Sequence, residues 1–419
     1  MSVRVVRHPA APSNLNALAL TAGGARGAYQ AGVLKRIGEV PGLRDRPAPF
    51  DIIAGASAGA INGAALAARG ERFHESTEAL AGLWANLTAS QVYRTDLRAL
   101  ARNASRLLRD AALGPLLRAG RVQALLDAAP LRALLARELP LVGIRRAIEQ
   151  RRLYALAITA TGYHSGKSYT FIQGRPRHPL WRKSRRIALP ASISVDHVCA
   201  SASIPLVFPP VALNTGGSMA WFGDGAMRLT NPLSPAIRLG AERVLAIGIR
   251  CRESEQTLTE TELASHVDAA DPDRARPGPL LPRPPLSQIC GVFLNAIFLD
   301  HLDADIDHLM RMNELVQAYT GDGSPPADVR HDISEPMRLI EPLVITPSQD
   351  FAEIASAQVR RMPASVRFML DVLGTPDPKS ADLTSYLLFD PGYTRALIDI
   401  GYRDAGDRID EIEAFLRRG

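Results

Sequence analysis

Phe50-Asp51-Ile52-Ile53-Ala54-Gly55-Ala56-Ser57-Ala58-Gly59-Ala60-Ile61-Asn62-Gly63-Ala64-Ala65-Leu66-Ala67-Ala68 is the stretch whose reading decides the fold. Residues 50–54 read as a short buried strand and residues 60–68 as a helix rich in small side chains. Between them lies G-x-S-x-G, so the chain must turn sharply at Ser57. Gly55 and Gly59 remove the Cβ atoms that would obstruct such an elbow, which leaves Ser57 Oγ exposed at the start of a helix. There the helix dipole and free N–H groups favour developing negative charge. Ser57 is a candidate nucleophile on this reading; a serine that merely caps the helix is the alternative.

Upstream, Leu18-Ala19-Leu20-Thr21 reads as another buried strand, followed by Ala22-Gly23-Gly24-Ala25-Arg26-Gly27 and a helix over 28–37. A glycine-rich loop lets backbone N–H groups approach the oxyanion of a tetrahedral intermediate. A nucleotide-phosphate loop or a plain turn is the alternative, although the spacing G-x-G-x-x-G is absent. Downstream, Trp221-Phe222-Gly223-Asp224-Gly225-Ala226 sets one carboxylate between glycines. Such an aspartate is either a turn residue or a placed acid–base group.

Taken in order, the glycine loop, G-x-S-x-G and D-G-A resemble the motifs of the patatin-like phospholipase family, and Ala200–Pro210 is similar to the segment that precedes the aspartate there. The resemblance covers residues 14–250. It implies Ser57 as nucleophile, Asp224 as its dyad partner, and an oxyanion hole at Gly23, Gly24, Ala25 and Arg26. Gly55 and Gly59 form the nucleophile elbow. Two positions depart from the family pattern: Ala22 stands at the first glycine of the oxyanion loop, and Ala226 at the last glycine of D-G-G. The implied fold is a three-layer α/β/α sandwich with a mostly parallel central sheet, a helical insertion and a helical C-terminal region. The implied activity is hydrolysis of acyl esters of lipids, phospholipids or lysophospholipids, through an acyl-enzyme and without metal or cofactor. A solvated aspartate, with pKa about 3.9, is a weak base near neutrality. Burial beside Trp221 and Phe222 is expected to raise it.

Other readings remain to be weighed. A Ser-Asp-His triad of the α/β-hydrolase kind requires a histidine after Asp224, and His266, His301, His308 and His331 qualify by position. A lipid-binding protein that keeps the fold without turnover is a further alternative. Gly162-Tyr163-His164-Ser165-Gly166-Lys167-Ser168 approaches a phosphate-binding loop, but Thr161 replaces its first glycine. Strands expected over 153–161 and 168–172 make it a hairpin turn instead.

The chain has 419 residues, 46% of them hydrophobic, enough for a large core. A catalytic domain over 14–349 and a helical region over 350–419 are expected. Cys199, Cys251 and Cys290 have no metal-ligand spacing and read as reduced thiols, so a cytoplasmic location is expected. Residues 1–14 lack the apolar run of a secretory leader, and no apolar stretch of about 18 residues predicts a membrane span. Residues 86–150 read as an inserted lid or channel wall. Within them, arginines at 94, 98, 102, 106 and 109 share one helical face. That 94–109 helix either lies peripherally on anionic lipid or is a solvated face over a packed core. Nucleic acid is not an expected partner, since no aromatics interleave the basic run. Residues 252–287 are proline-rich and expected to be mobile. Helices are expected over 287–318, 351–362, 364–373 and 393–417, with short strands at 243–249 and 343–346. The oligomeric state is left open.

Overall fold

Every residue of Leu15–Leu20 (β1), Ile52–Ala56 (β2) and Ala155–Gly162 (β3) is buried, as expected of strands covered on both faces. The computed structural model describes residues 14–94, 124–251, 301–320, 338–367 and 381–417. In it these strands join Lys167–Gly174 (β4), Arg186–Pro190 (β5), Val211–Asn214 (β6), Met219–Gly223 (β7), Ala241–Ile247 (β8) and Glu341–Ile345 (β9) in a nine-stranded sheet. The order is β5-β4-β3-β2-β1-β8-β9, parallel throughout except where β4 runs back along β3. The β6–β7 hairpin attaches antiparallel to the end of β3, with Thr161 opposite Gly223.

Alternation along the strands divides the core into two layers. Leu18, Leu20 and Ile53 face one apolar cluster, while Ala17, Ala19, Ile52 and Ala54 face the other. The first is covered by helices Gly27–Gly38 (α1) and Ala58–Arg69 (α2), the second by Ser234–Leu239 and His301–Thr320. This is the expected three-layer α/β/α arrangement. Register then positions the chemistry: Leu20 lies opposite both Gly55 and Ile247, so the loops after β1, β2 and β8 leave the sheet side by side at its C-terminal edge.

Gly162–Lys167 is the turn of the β3–β4 hairpin, so the phosphate-loop reading fails for want of a helix after it. Strand β5 and the β6–β7 hairpin went unread in the sequence because their apolar runs are short and interrupted by arginine, proline and glycine. The helix expected over 393–417 is two helices, Pro391–Asp407 and Ile409–Arg417, separated at Arg408. The first of these lies against α1, where the Tyr29 hydroxyl donates to Asp404 at 3.0 Å. Among the described residues, no helix is long and apolar enough to cross a membrane. The 252–287 excursion and the 94–109 helix beyond Arg94 lie outside the described residues; Arg94 itself pairs with Asp127 at 3.0 Å.

Candidate active site

Ser57 sits between β2 and α2 with φ 54° and ψ −124°, a conformation that costs a residue bearing a Cβ of order 1–3 kcal/mol. The turn is so tight that a Cβ at Gly55 would fall 2.3 Å from Gly59 O, and one at Gly59 would fall 2.2 Å from Leu20 O. Both glycines are therefore demanded by close approach. The Ser57 N–H donates to Ser201 Oγ at 3.0 Å, and that hydroxyl donates onward to Thr159 O at 2.6 Å. Its own side chain makes no capping hydrogen bond to α2, which removes the helix-cap reading.

Asp224 follows β7 and is wholly inaccessible to solvent. Its N–H donates to Ser203 O at 2.9 Å, its carbonyl accepts from Thr161 Oγ1 at 2.8 Å, and its Oδ1 accepts the Ala226 N–H at 2.9 Å. Oδ2 is buried with no hydrogen-bond partner. Burial pushes the carboxyl up to about 7, while the nearby Ser57 hydroxyl and the Ala226 N–H draw it back down. Ser57 exerts this influence although its hydroxyl forms no hydrogen bond of normal geometry with the carboxylate. The environment differs from the expected one in one respect. Successive residues on β7 point opposite ways, so Phe222 is buried against Phe171 and Tyr169 while Trp221 turns outward, 43% exposed.

The glycine loop runs from β1 into a short helical turn, Gly24–Arg26. Gly24 has φ 56°, and a Cβ there would meet Tyr386 O at 2.4 Å. The Arg26 N–H donates to Gly23 O at 3.1 Å, so Arg26 is corrected from the donor set: its N–H closes the turn. The N–H groups of Gly23, Gly24 and Ala25 carry no hydrogen bond among the described residues, and neither does that of Ala58 at the start of α2. Ala58, the residue after the serine, offers an unbonded N–H that the sequence reading did not consider. The Arg26 side chain is buried; its Nε donates to Ser385 Oγ at 2.8 Å and its guanidinium lies 4.4 Å from the Tyr386 ring centre.

Ser57 and Gly24 open into an apolar pocket whose walls include Trp84, Leu131, Leu134, Leu135, Phe208 and Phe389. The one polar group of Trp84 is satisfied, donating from Nε1 to Asn62 Oδ1 at 2.7 Å. Leu131, Leu134 and Leu135 come from the 86–150 insertion, and Phe389 from the C-terminal region, which had no assigned role from sequence. A second cavity lies beyond Ala56 and Ala226 and is lined by Thr21, Arg250, His301 and Asp303.

Among the described residues no histidine bonds Ser57 or Asp224; His301 lines the second cavity, and His266 and His331 lie outside the described residues. No cluster of metal-ligating side chains occurs among the described residues. Cys199 and Cys251 are free thiols, and burial pushes Cys199 up to about 12, which leaves it an inert packing residue. Ser201, Thr161 and Ser385 hold the site together, yet only Ser201 carried any signal, through its place in Ala200–Pro210.

Residues 18–237 match the family described as patatin-like phospholipase, more than half of the chain. No curated protein matches it. Among solved structures, VipD from Legionella pneumophila is 14% identical with TM-score 0.32, covering 93% of this chain and 67% of that one. Human GIVD cytosolic phospholipase A2, in complex with methyl gamma-linolenyl fluorophosphonate, is 15% identical with TM-score 0.38, covering 97% and 60%. The type III effector protein ExoU is 16% identical with TM-score 0.26, covering 60% and 46%. The chain thus spans about half to two thirds of the length of these structures. On the match over residues 18–237, the chain belongs to the patatin-like phospholipase family.

Proposed function

We propose that this protein, a member of a lipid hydrolase family, cleaves acyl esters of phospholipids or lysophospholipids with a Ser57–Asp224 dyad. Asp224 takes the Ser57 proton as Oγ attacks the ester carbonyl, and the N–H groups of Gly24, Ala25 and Ala58 receive the oxyanion. The alcohol leaves with a proton returned by Asp224. Water, deprotonated by the same carboxylate, then releases the fatty acid from Ser57. The apolar pocket holds the acyl chain, and the insertion supplies part of its wall. We assign residues 381–390 to the catalytic unit rather than to a separate helical region, since Phe389 and the Arg26–Ser385 bond both belong to the site.

One observation carries this reading: a strained serine beside a fully buried carboxylate whose Oδ2 is unpartnered and which burial holds near neutrality as a competent base. The test is a panel of phospholipid and lysophospholipid substrates with wild type, Ser57→Ala, Asp224→Asn and His301→Ala. Turnover is expected to vanish in the first two variants and to persist in the third. Equal loss in His301→Ala would favour the triad.

A further inference from the structure

The β6–β7 hairpin presents a face that the proposed chemistry does not use. Met219, Trp221 and Gly223 alternate onto one side of β7, opposite Asn214 and Ala212 on β6. Met219 is 67% exposed and Trp221 43%. Tyr163 continues the row: its N–H donates to Trp221 O at 2.9 Å, and its hydroxyl lies 2.2 Å from where a Cβ of Gly223 would stand. Tyr163 is itself 41% exposed, so three large side chains form an open row that ends beside Asp224. Isolated apolar residues at a surface need no explanation, but a contiguous row with aromatic members does. Tryptophan and tyrosine, each with an apolar body and a polar edge, favour the boundary between lipid headgroups and acyl chains.

Residues 162–230 contain eight lysines and arginines against two carboxylates, Asp196 and Asp224, with Arg175 and Arg177 past Gly174 at the far end of β4. Asp224 is buried, and Asp196 is paired with Arg132 at 2.8 Å, so neither offsets the cations. Two of these cations stand by the β3–β4 hairpin that carries Tyr163. The Arg228 guanidinium comes within 3.6 Å of where a Cβ of Gly166 would stand. Exposed Arg185 accepts the Ser168 N–H on its carbonyl at 3.0 Å.

We propose that the outer face of the β6–β7 hairpin, together with Tyr163, docks on an anionic lipid bilayer. Met219 and Trp221 enter the headgroup boundary while Arg185 and Arg228 meet lipid phosphates. The proposal rests on the hydrolase reading only for its purpose, which is to bring lipid to the edge of the site at Asp224. This surface is distinct from the arginine face over 94–109, which lies outside the described residues.

Vesicle co-sedimentation of the full chain tests it, with vesicles of phosphatidylcholine alone and of equal parts phosphatidylcholine and phosphatidylglycerol. Wild type is expected to bind the anionic vesicles at least roughly tenfold more tightly, and high salt is expected to release it. Two double variants, Met219→Ser with Trp221→Ser and Arg185→Glu with Arg228→Glu, are each expected to lose about tenfold or more in binding to anionic vesicles. Turnover of a water-soluble short-chain ester by the Met219→Ser, Trp221→Ser variant is expected to match wild type, which also shows that it is folded. Trp84 and Trp181 are buried, so a blue shift of tryptophan emission on binding should disappear in Trp221→Phe. Failure of wild type to bind, equal binding to both vesicles, or undiminished binding by both double variants would overturn the proposal. Vesicle binding without turnover of any ester would count against the hydrolase reading alone.

Discussion

Arg26 and Ser385 stand 359 residues apart in the chain and are joined by a 2.8 Å hydrogen bond from Nε to Oγ. The bond ties the glycine loop to the C-terminal helix Ala381–Leu387, whose Tyr386 carbonyl occupies the space a side chain at Gly24 would need. The Tyr93 hydroxyl secures the same segment by donating to Leu387 O at 2.9 Å. Under the proposed function, Arg26 would act on the oxyanion donors indirectly, by fixing the turn that carries the Gly24 and Ala25 N–H groups.

Replacing Ser385 by Ala leaves a buried guanidinium N–H short of an acceptor and loosens that turn. Losing an oxyanion donor outright costs about 10²–10³ in kcat, so displacing the donors should cost less, roughly tenfold. Steady-state kinetics should show the loss in kcat with KM little changed, and Ser385→Thr should recover most of it. An unchanged kcat in Ser385→Ala would remove Ser385 from the positioning role.

The Asp224 carboxyl must be ionised to accept the Ser57 proton. With burial holding it at about 7, kcat/KM should rise with pH, reach half its plateau near 7 and stay level above. Stability moves the opposite way. The folded-state pKa is raised above the unfolded value, so the native state binds more protons than the unfolded one between about 4 and about 7, and stability falls as pH rises through that window. Asp224→Asn removes the titration. Its unfolding free energy relative to wild type should rise by ~3 kcal/mol between about pH 4 and about pH 8, measured by urea denaturation.

On the proposed reading, the apolar pocket sets the acyl length. Leu134 is buried in its wall, and tryptophan there fills volume needed by the distal part of a chain. Overpacking costs roughly 1–3 kcal/mol of stability, which a domain of this size tolerates. Leu134→Trp should lower turnover of long-chain esters by about tenfold or more while a butyryl ester is cleaved at close to the wild-type rate. A parallel fall for both lengths would place the acyl chain elsewhere.

Much of this architecture could be read from local pattern. The strand at Phe50–Ala54, the elbow and its helix are contiguous, so buried-strand, glycine and small-residue signals reinforce one another within about five turns of chain. The same holds for the β3–β4 hairpin, where two short apolar runs flank Gly162–Lys167. What escaped depends on contacts distant in sequence. Nothing in Ala381–Phe389 marks Ser385 as the partner of Arg26 or Phe389 as a pocket wall, because each is defined by what folds against it. The outward turn of Trp221 was equally illegible: it follows from the phase of β7, which is set where Gly223 pairs with Thr161. Arg26 was read as a donor from its place in the loop, but the Gly24–Arg26 turn consumes its N–H.

Labelling with a fluorophosphonate, followed by peptide mass analysis, tests the dyad most directly. Phosphonylation requires an activated serine, so the account predicts a single adduct on Ser57 in wild type, none in Ser57→Ala, and labelling slowed by at least roughly a hundredfold in Asp224→Asn. An adduct on another serine, or labelling of Asp224→Asn at the wild-type rate, would contradict it.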